Sequence, residues 1–163
     1  MKQEIKQAFN KQGYSFLLPI QEKAIPQILA HKNLFIQAAT GSGKTLAYLL
    51  PALEIAEATS NDTQVLIITP TRELALQVSE VAKNIANDSK HHIVTVIGGL
   101  DIHKQENALR HRPTIIIGTP GRLMDLYSQK KIDLSHLLLC VVDEVDMVIS
   151  TGQRKETEYL LQH

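Results

Sequence analysis

Five short runs of branched apolar residues set the terms on which this chain can fold: LFIQA at 34–38, VLIITP at 65–70, VTVIGG at 94–99, TIIIGTP at 114–120 and LLLCVVDE at 137–144. Runs this short and this continuous read as strands buried on both faces, since a half-exposed strand would alternate apolar with polar residues. Between the runs the period changes. Leu74, Val78, Val81 and Ile85 recur at three- and four-residue steps, as do Leu123, Leu126 and Tyr127, and each set predicts a crossover helix. Strand and helix in alternation predict an α/β domain built as a three-layer sandwich, with a mostly parallel sheet, helices on both faces and right-handed crossovers.

Composition agrees with one such domain. The chain has 163 residues, 44% of them hydrophobic and 21% charged, an ordinary globular mixture long enough for a single core. Its 17 lysines and arginines balance 17 acidic residues, so no bulk positive field grips nucleic acid and any such contact is local. Cys140, the single cysteine, sits in LLLCVV and reads as a small core residue in a reducing compartment. MKQEIKQAFN lacks the apolar core of a signal peptide and no eighteen apolar residues run together, so the expectation is a cytoplasmic protein without a membrane segment. The seven histidines fall at 31, 91, 92, 103, 111, 136 and 163 without metal-ligand spacing, and ANDSKHH at 86–92 reads as a polar loop.

In open α/β sheets ligands bind beyond the carboxyl ends of the strands. The segments after the five runs are TGSGKT, TPTRELA, GGLD, TPGR and DEVD, which gathers the glycine, proline and acidic residues on one edge. AATGSGKT at 38–45 departs from the usual phosphate-loop pattern G-x-x-x-x-G-K-[ST] only at Ala38. Ala38 would close the preceding strand, where a negative φ suffices. Gly41 and Gly43 would let successive backbone N–H groups converge on an anion at the positive end of the following helix. Lys44 would neutralise β and γ phosphates and Thr45 would ligate magnesium. In VVDEVD at 141–146, Asp143 stands where a metal-orienting carboxylate is needed and Glu144 can position or activate an attacking water. Two acids after a strand are also a common helix start, so the pairing with the loop carries the reading of γ-phosphoryl transfer to water.

At this point the motifs resemble the DEAD-box RNA helicases, specifically their first RecA-like domain, over about Phe9 to Ile149. In that family alanine is usual where Ala38 stands, and the resemblance implies ATP and magnesium held by Ala39, Thr40, Gly41, Ser42, Gly43, Lys44 and Thr45 with Asp143 and Glu144. GYSFLLPIQ at 13–21 looks like the family's adenine-reading segment, with Tyr14 and Gln21 as candidates; the plain alternative for Gln21 is a polar residue on an amphipathic helix. Leu17 and Leu18 replace the family's Pro-Thr, and the upstream stacking aromatic would fall near Glu4.

Pro70, Thr71 and Arg72 in PTRELA, then Gly98 and Gly99, then Thr119, Pro120, Gly121 and Arg122 in TPGR match the family's RNA-contacting motifs. Hydroxyl, N–H and guanidinium groups at strand ends and helix starts hold a phosphodiester backbone without reading bases. Arg72 and Arg122 have an equal alternative as intradomain ion-pair partners of Glu73 or Asp125. The signature Asp-Glu-Ala-Asp reads Asp-Glu-Val-Asp here, and Val145 is expected at a packed position whose neighbours compensate for two extra methyl groups.

The resemblance further implies that residues 1–163 are the helicase ATP-binding domain, ending before the Ser-Ala-Thr motif. The strand of that motif in the family lies between the phosphate-loop strand and the acidic strand. A second RecA-like domain would lie outside these residues and contribute arginines in trans, so the fragment alone is expected to turn over slowly and to associate or swap through exposed sheet edges. Two rivals stand beside this reading: another P-loop enzyme, such as a DNA-directed helicase or a small-molecule kinase, and a non-catalytic module that binds RNA or protein on the same scaffold.

Overall fold

A computed structural model of the chain describes residues 2–39, 41–87 and 89–162. Its elements run α1 (Gln3–Lys11), α2 (Pro19–Leu29), α3 (Lys44–Ile55), β1 (Val65–Ile68), α4 (Arg72–Ala86), β2 (Ile93–Val96), α5 (Ile102–Arg110), β3 (Ile115–Gly118), α6 (Pro120–Ser128), β4 (Leu139–Val142), α7 (Val145–Ser150) and α8 (Arg154–Leu161). The four strands form one all-parallel sheet in the order β2-β3-β1-β4.

Side chains along a strand alternate between faces, and here both faces are apolar. Val65 and Ile67 of β1 join Ile115 and Ile117 of β3 in a core closed by α1, α2, α3 and α4. Leu66 and Ile68 join Ile116, Val94 and Val96 in a second core closed by Leu109 of α5, Leu123 and Leu126 of α6 and Leu160 of α8. The result is the three-layer sandwich that continuous rather than alternating apolar runs imply. Cys140 is partly buried against the second core rather than inside it, and burial pushes its thiol up to about 12.

The strand expected at 34–38 is not formed. Among the described residues, 33–39 carry no strand pairing, and Phe35 is 80% exposed. A strand needs a hydrogen-bonded neighbour, and β4 offers its only ladder to β1, with no partner on its other side among the described residues. Apolar composition alone therefore did not make LFIQA a strand. No helix among the described residues is long and apolar enough to cross a membrane.

Because Ile67 is fully buried in the central strand, Ile67→Ala removes packing that neighbours on both sides cannot refill. Urea denaturation should show a loss of about 2–5 kcal/mol, and a loss within error of zero would contradict the placement of β1 at the centre.

Candidate nucleotide and RNA interface

The phosphate loop ends at Gly43, the N-cap of α3, whose φ of 88° lies in the left-handed region. Space is as restrictive as conformation: a Cβ on Gly43 would lie 2.5 Å from Gln21 Nε2 and 2.7 Å from Leu18 Cδ1. Gln21 is 1% exposed, donates from Nε2 to the Gly43 carbonyl at 3.1 Å, and accepts at Oε1 from the Leu18 N–H at 2.9 Å. Leu18 caps α2 without a side-chain acceptor, so Gln21 supplies the one half of a capping box that this sequence permits. Gln21 thus ties the start of α2 to the start of α3. Each polar atom of its amide retains one more hydrogen-bonding position, which leaves the adenine role chemically open.

Tyr14 stacks on Phe9 with ring centroids 5.0 Å apart, bracing the end of α1 against the segment before α2. Glu4, where the family's aromatic would fall, is exposed on α1. Within the loop, Lys44 donates from Nζ to the carbonyls of Ala38 and Ala39, the latter at 3.0 Å. Ser42 Oγ is buried with no hydrogen-bond partner among the described residues, so the loop holds a donor that an anionic oxygen would satisfy. Ala39 and Gly41 flank Thr40, which lies outside the described residues.

The acidic end of β4 is equally specific. The Asp143 N–H extends the ladder to Ile68 O at 2.9 Å, while Asp143 Oδ1 accepts from the Glu144 N–H at 3.0 Å. Glu144 itself takes φ 47° and ψ 53°, a left-handed conformation that costs a non-glycine residue roughly 1–3 kcal/mol. Asp143 Oδ2 accepts from the Tyr48 hydroxyl at 2.7 Å. Thr45 stands three residues before Tyr48, on the same face of α3. Burial, then the Asp143 carboxylate, push Tyr48 far above the ordinary tyrosine range and keep it a neutral donor. One buried phenol therefore joins the helix of the phosphate loop to the acidic strand end, placing Thr45 and Asp143 together on one edge of the sheet.

Val145 departs from expectation. It is 37% exposed at the start of α7, so its extra methyl groups meet solvent and require no compensating neighbour.

The remaining candidates lie just past the carboxyl ends of β1, β2 and β3. Thr71 caps α4 by accepting from the Leu74 N–H at 3.2 Å, and the Pro70 carbonyl accepts from Gln153 Nε2 at 2.9 Å. The Arg72 guanidinium lies against the Gly98 and Gly99 backbone: a Cβ on Gly98 would come 3.3 Å from Arg72 Nη2, and one on Gly99 would clash outright at a φ of 78°. Conformation thus favours glycine at 99, and a side chain there would push the end of Arg72 aside. Gln105, buried on α5, holds this loop by accepting from the Ile97 N–H at 2.9 Å and donating to Ile97 O at 3.0 Å. Thr119, Pro120, Gly121 and Arg122 open α6, with Pro120 at its first turn and no side-chain cap from Thr119. Arg122 Nη2 is buried and finds no hydrogen-bond partner among the described residues.

Sequence pattern alone did not single out Tyr48, Gln105 or Gln153. Tyr48 carried a faint signal as a hydroxyl inside the apolar run LAYLLP, one turn after Thr45. Among the described residues no group of three or more His, Cys, Asp and Glu side chains could hold a metal by itself. A 200 Å³ concavity at the opposite, amino-terminal edge is lined by Arg110, Arg112, Lys130 and Lys131 among others, cations at or just beyond the ends of α5 and α6 that offset the helix dipoles.

The fold and this edge define a RecA-like α/β helicase domain. A structure described as a hypothetical ATP-dependent RNA helicase from Sulfolobus tokodaii superposes with a TM-score of 0.91 at 36% identity, covering 99% of this chain and 47% of its own. A DEAD box protein from the hyperthermophile Methanococcus jannaschii gives 0.94 at 32% identity, covering 99% and 44%. The ATP-dependent RNA helicase CshA of Listeria monocytogenes is 40% identical over 161 residues, and the DEAD-box ATP-dependent RNA helicase CshA of Bacillus subtilis is 38% identical over the same length. The chain covers 31% and 33% of those two proteins. The DEAD/DEAH box helicase pattern matches residues 18–163, and the chain belongs to that family.

Two glycines separate conformation from contact. Gly43→Ala should abolish nucleotide binding by forcing Gln21 and Leu18 away from the loop, read as loss of fluorescent-ATP binding by a protein that still melts cooperatively. Gly121 has open space around it and no positive φ, so Gly121→Ala should keep or slightly raise the melting temperature while weakening RNA binding. Unchanged RNA affinity would remove TPGR from the interface.

Proposed function

We propose that this chain is the nucleotide-binding half of an ATP-dependent RNA helicase motor, which binds ATP with magnesium and holds single-stranded RNA by its backbone. The observation that carries the reading is the bond from the Tyr48 hydroxyl, on the helix that follows the loop, to Asp143 Oδ2, which sets the start of α3 and the acidic strand end side by side. The oxygen donors of Thr45 and Asp143 fit magnesium and would hold it; when bound it would supply positive charge against the negative charge that develops as the phosphoryl group transfers.

Lys44 exchanges its two loop carbonyls for phosphate oxygens, and the N–H groups from Gly41 to Thr45 surround the anion at the start of α3. Asp143 would serve as the carboxylate that holds the metal. Glu144, held in a strained turn next to it, positions the attacking water and receives its proton. Pro70 to Arg72, Gly98, Gly99 and Thr119 to Arg122 hold successive phosphates at the carboxyl edge. If about four phosphates are engaged, log affinity for a single strand falls with log salt at a slope of roughly minus three. A cytoplasmic setting belongs to the same reading, supported by the free, inert Cys140.

The domain arrangement is also a proposal. Among the described residues the outer side of β4 and the segment 33–39 are unpaired, which supports a further strand, from beyond residue 163, seated between them, with a second RecA-like domain after it. That two of the curated relatives are about three times the length of this chain agrees with this arrangement. Residues 1–163 alone should then associate through the open edge, visible by light scattering after size exclusion. A cooperatively melting monomer counts against the proposal.

In the full-length protein, Lys44→Ala should lose ATP binding, and Glu144→Gln should bind ATP yet hydrolyse it at least about a hundredfold more slowly. Single-stranded RNA should stimulate wild-type hydrolysis more than DNA does. Wild-type turnover by either variant contradicts the site assignment, and equal stimulation by DNA favours a DNA-directed helicase.

A further inference from the structure

We propose that Tyr48 is a positioning residue of the nucleotide-bound metal site, fixing the Asp143 carboxylate through its hydroxyl. The inference rests on the proposed function, in which Thr45 and Asp143 serve that metal, and adds a residue whose role comes from the geometry alone. Tyr48 is 6% exposed and sits three residues after Thr45, so the two share one face of α3. Its hydroxyl is 2.7 Å from Asp143 Oδ2, across the boundary between α3 and the end of β4.

A carboxylate at a strand end turns freely about two side-chain bonds unless both oxygens are held. Here Glu144 N–H holds Oδ1 and Tyr48 O–H holds Oδ2, which leaves each oxygen a lone pair for the water shell of a cation. Tyrosine suits this task because it is a neutral donor, aiming the carboxylate without cancelling the charge that attracts the metal. A lysine at this position would pair with Asp143 and compete with magnesium. A phenylalanine would fill the same space and leave Oδ2 unheld.

The plain alternative is that Asp143 merely satisfies a buried hydroxyl, a role confined to folding. The two accounts differ in one observable, the magnesium dependence of nucleotide binding. The test is equilibrium binding of a fluorescent ATP analogue to the full-length protein, wild type and Tyr48→Phe, in EDTA and across a magnesium titration. Half-saturating magnesium should rise about tenfold in Tyr48→Phe, the order expected when a hydrogen bond to a charged acceptor is lost. Affinity in EDTA should stay within about twofold, because the lysine and the loop N–H groups are untouched.

An unchanged or lower half-saturating magnesium overturns the proposal. Wild-type protein that binds the analogue without any magnesium dependence overturns instead the reading of Thr45 and Asp143 on which it rests. Should Tyr48→Phe fail to fold, difluorotyrosine at position 48 keeps the ring and makes the hydroxyl a stronger donor. It should lower half-saturating magnesium, and a rise would overturn the proposal.

Discussion

Every layer of this molecule is referred to β1, whose Val65, Leu66, Ile67 and Ile68 are all fully buried. Its backbone is bonded on both sides, to β3 and to β4, while its side chains feed two cores in strict alternation. Removing water from both faces of four residues contributes on the order of 1.5–3 kcal/mol per side chain. More important for function, it fixes the direction in which the strand ends point. Once the neighbours are parallel to β1, every strand delivers its carboxyl end to the same edge, and the loops that leave the strands must meet there.

Those loops are held in place by contacts that cross between motifs rather than within them. The Gln21 amide joins the segment before α2 to the phosphate loop; the Arg72 guanidinium lies on the Gly98 and Gly99 backbone; Gln153 reaches Pro70 from the turn before α8. Tyr48 joins α3 to Asp143. Each is a polar side chain anchored on one element and used on another, so movement of one motif is felt by its neighbour.

Much of the architecture was legible because it depends on side-chain period, a local property. VLII, IVTV, IIIG and LCVV became strands, and the three- and four-residue steps between them became helices. LFIQA did not, because a strand requires a partner ladder and composition says nothing about which ladders are free. Val145 was misjudged for a similar reason: packing at a position is set by tertiary neighbours, and here solvent lies beside it. The candidate phosphate-loop and acidic residues were picked out by spacing, and the structure brings the helix after the loop and Asp143 together. Gln105 and Tyr48 were not, since a glutamine on α5 and a hydroxyl in an apolar helix acquire meaning only when a loop 8 residues away or a strand end 95 residues away is brought beside them.

The central claim is that the lysine of the loop and the carboxylate of β4 clasp one triphosphate. A crystal structure of the full-length protein with magnesium and a non-hydrolysable ATP analogue tests it directly. The expected result has the β and γ phosphates against Lys44 and the N–H groups of the loop, with metal-bound water on Asp143. A triphosphate seated at the other edge among Arg110, Arg112 and Lys131, with Asp143 bonded only to Tyr48 and Glu144, would contradict the account.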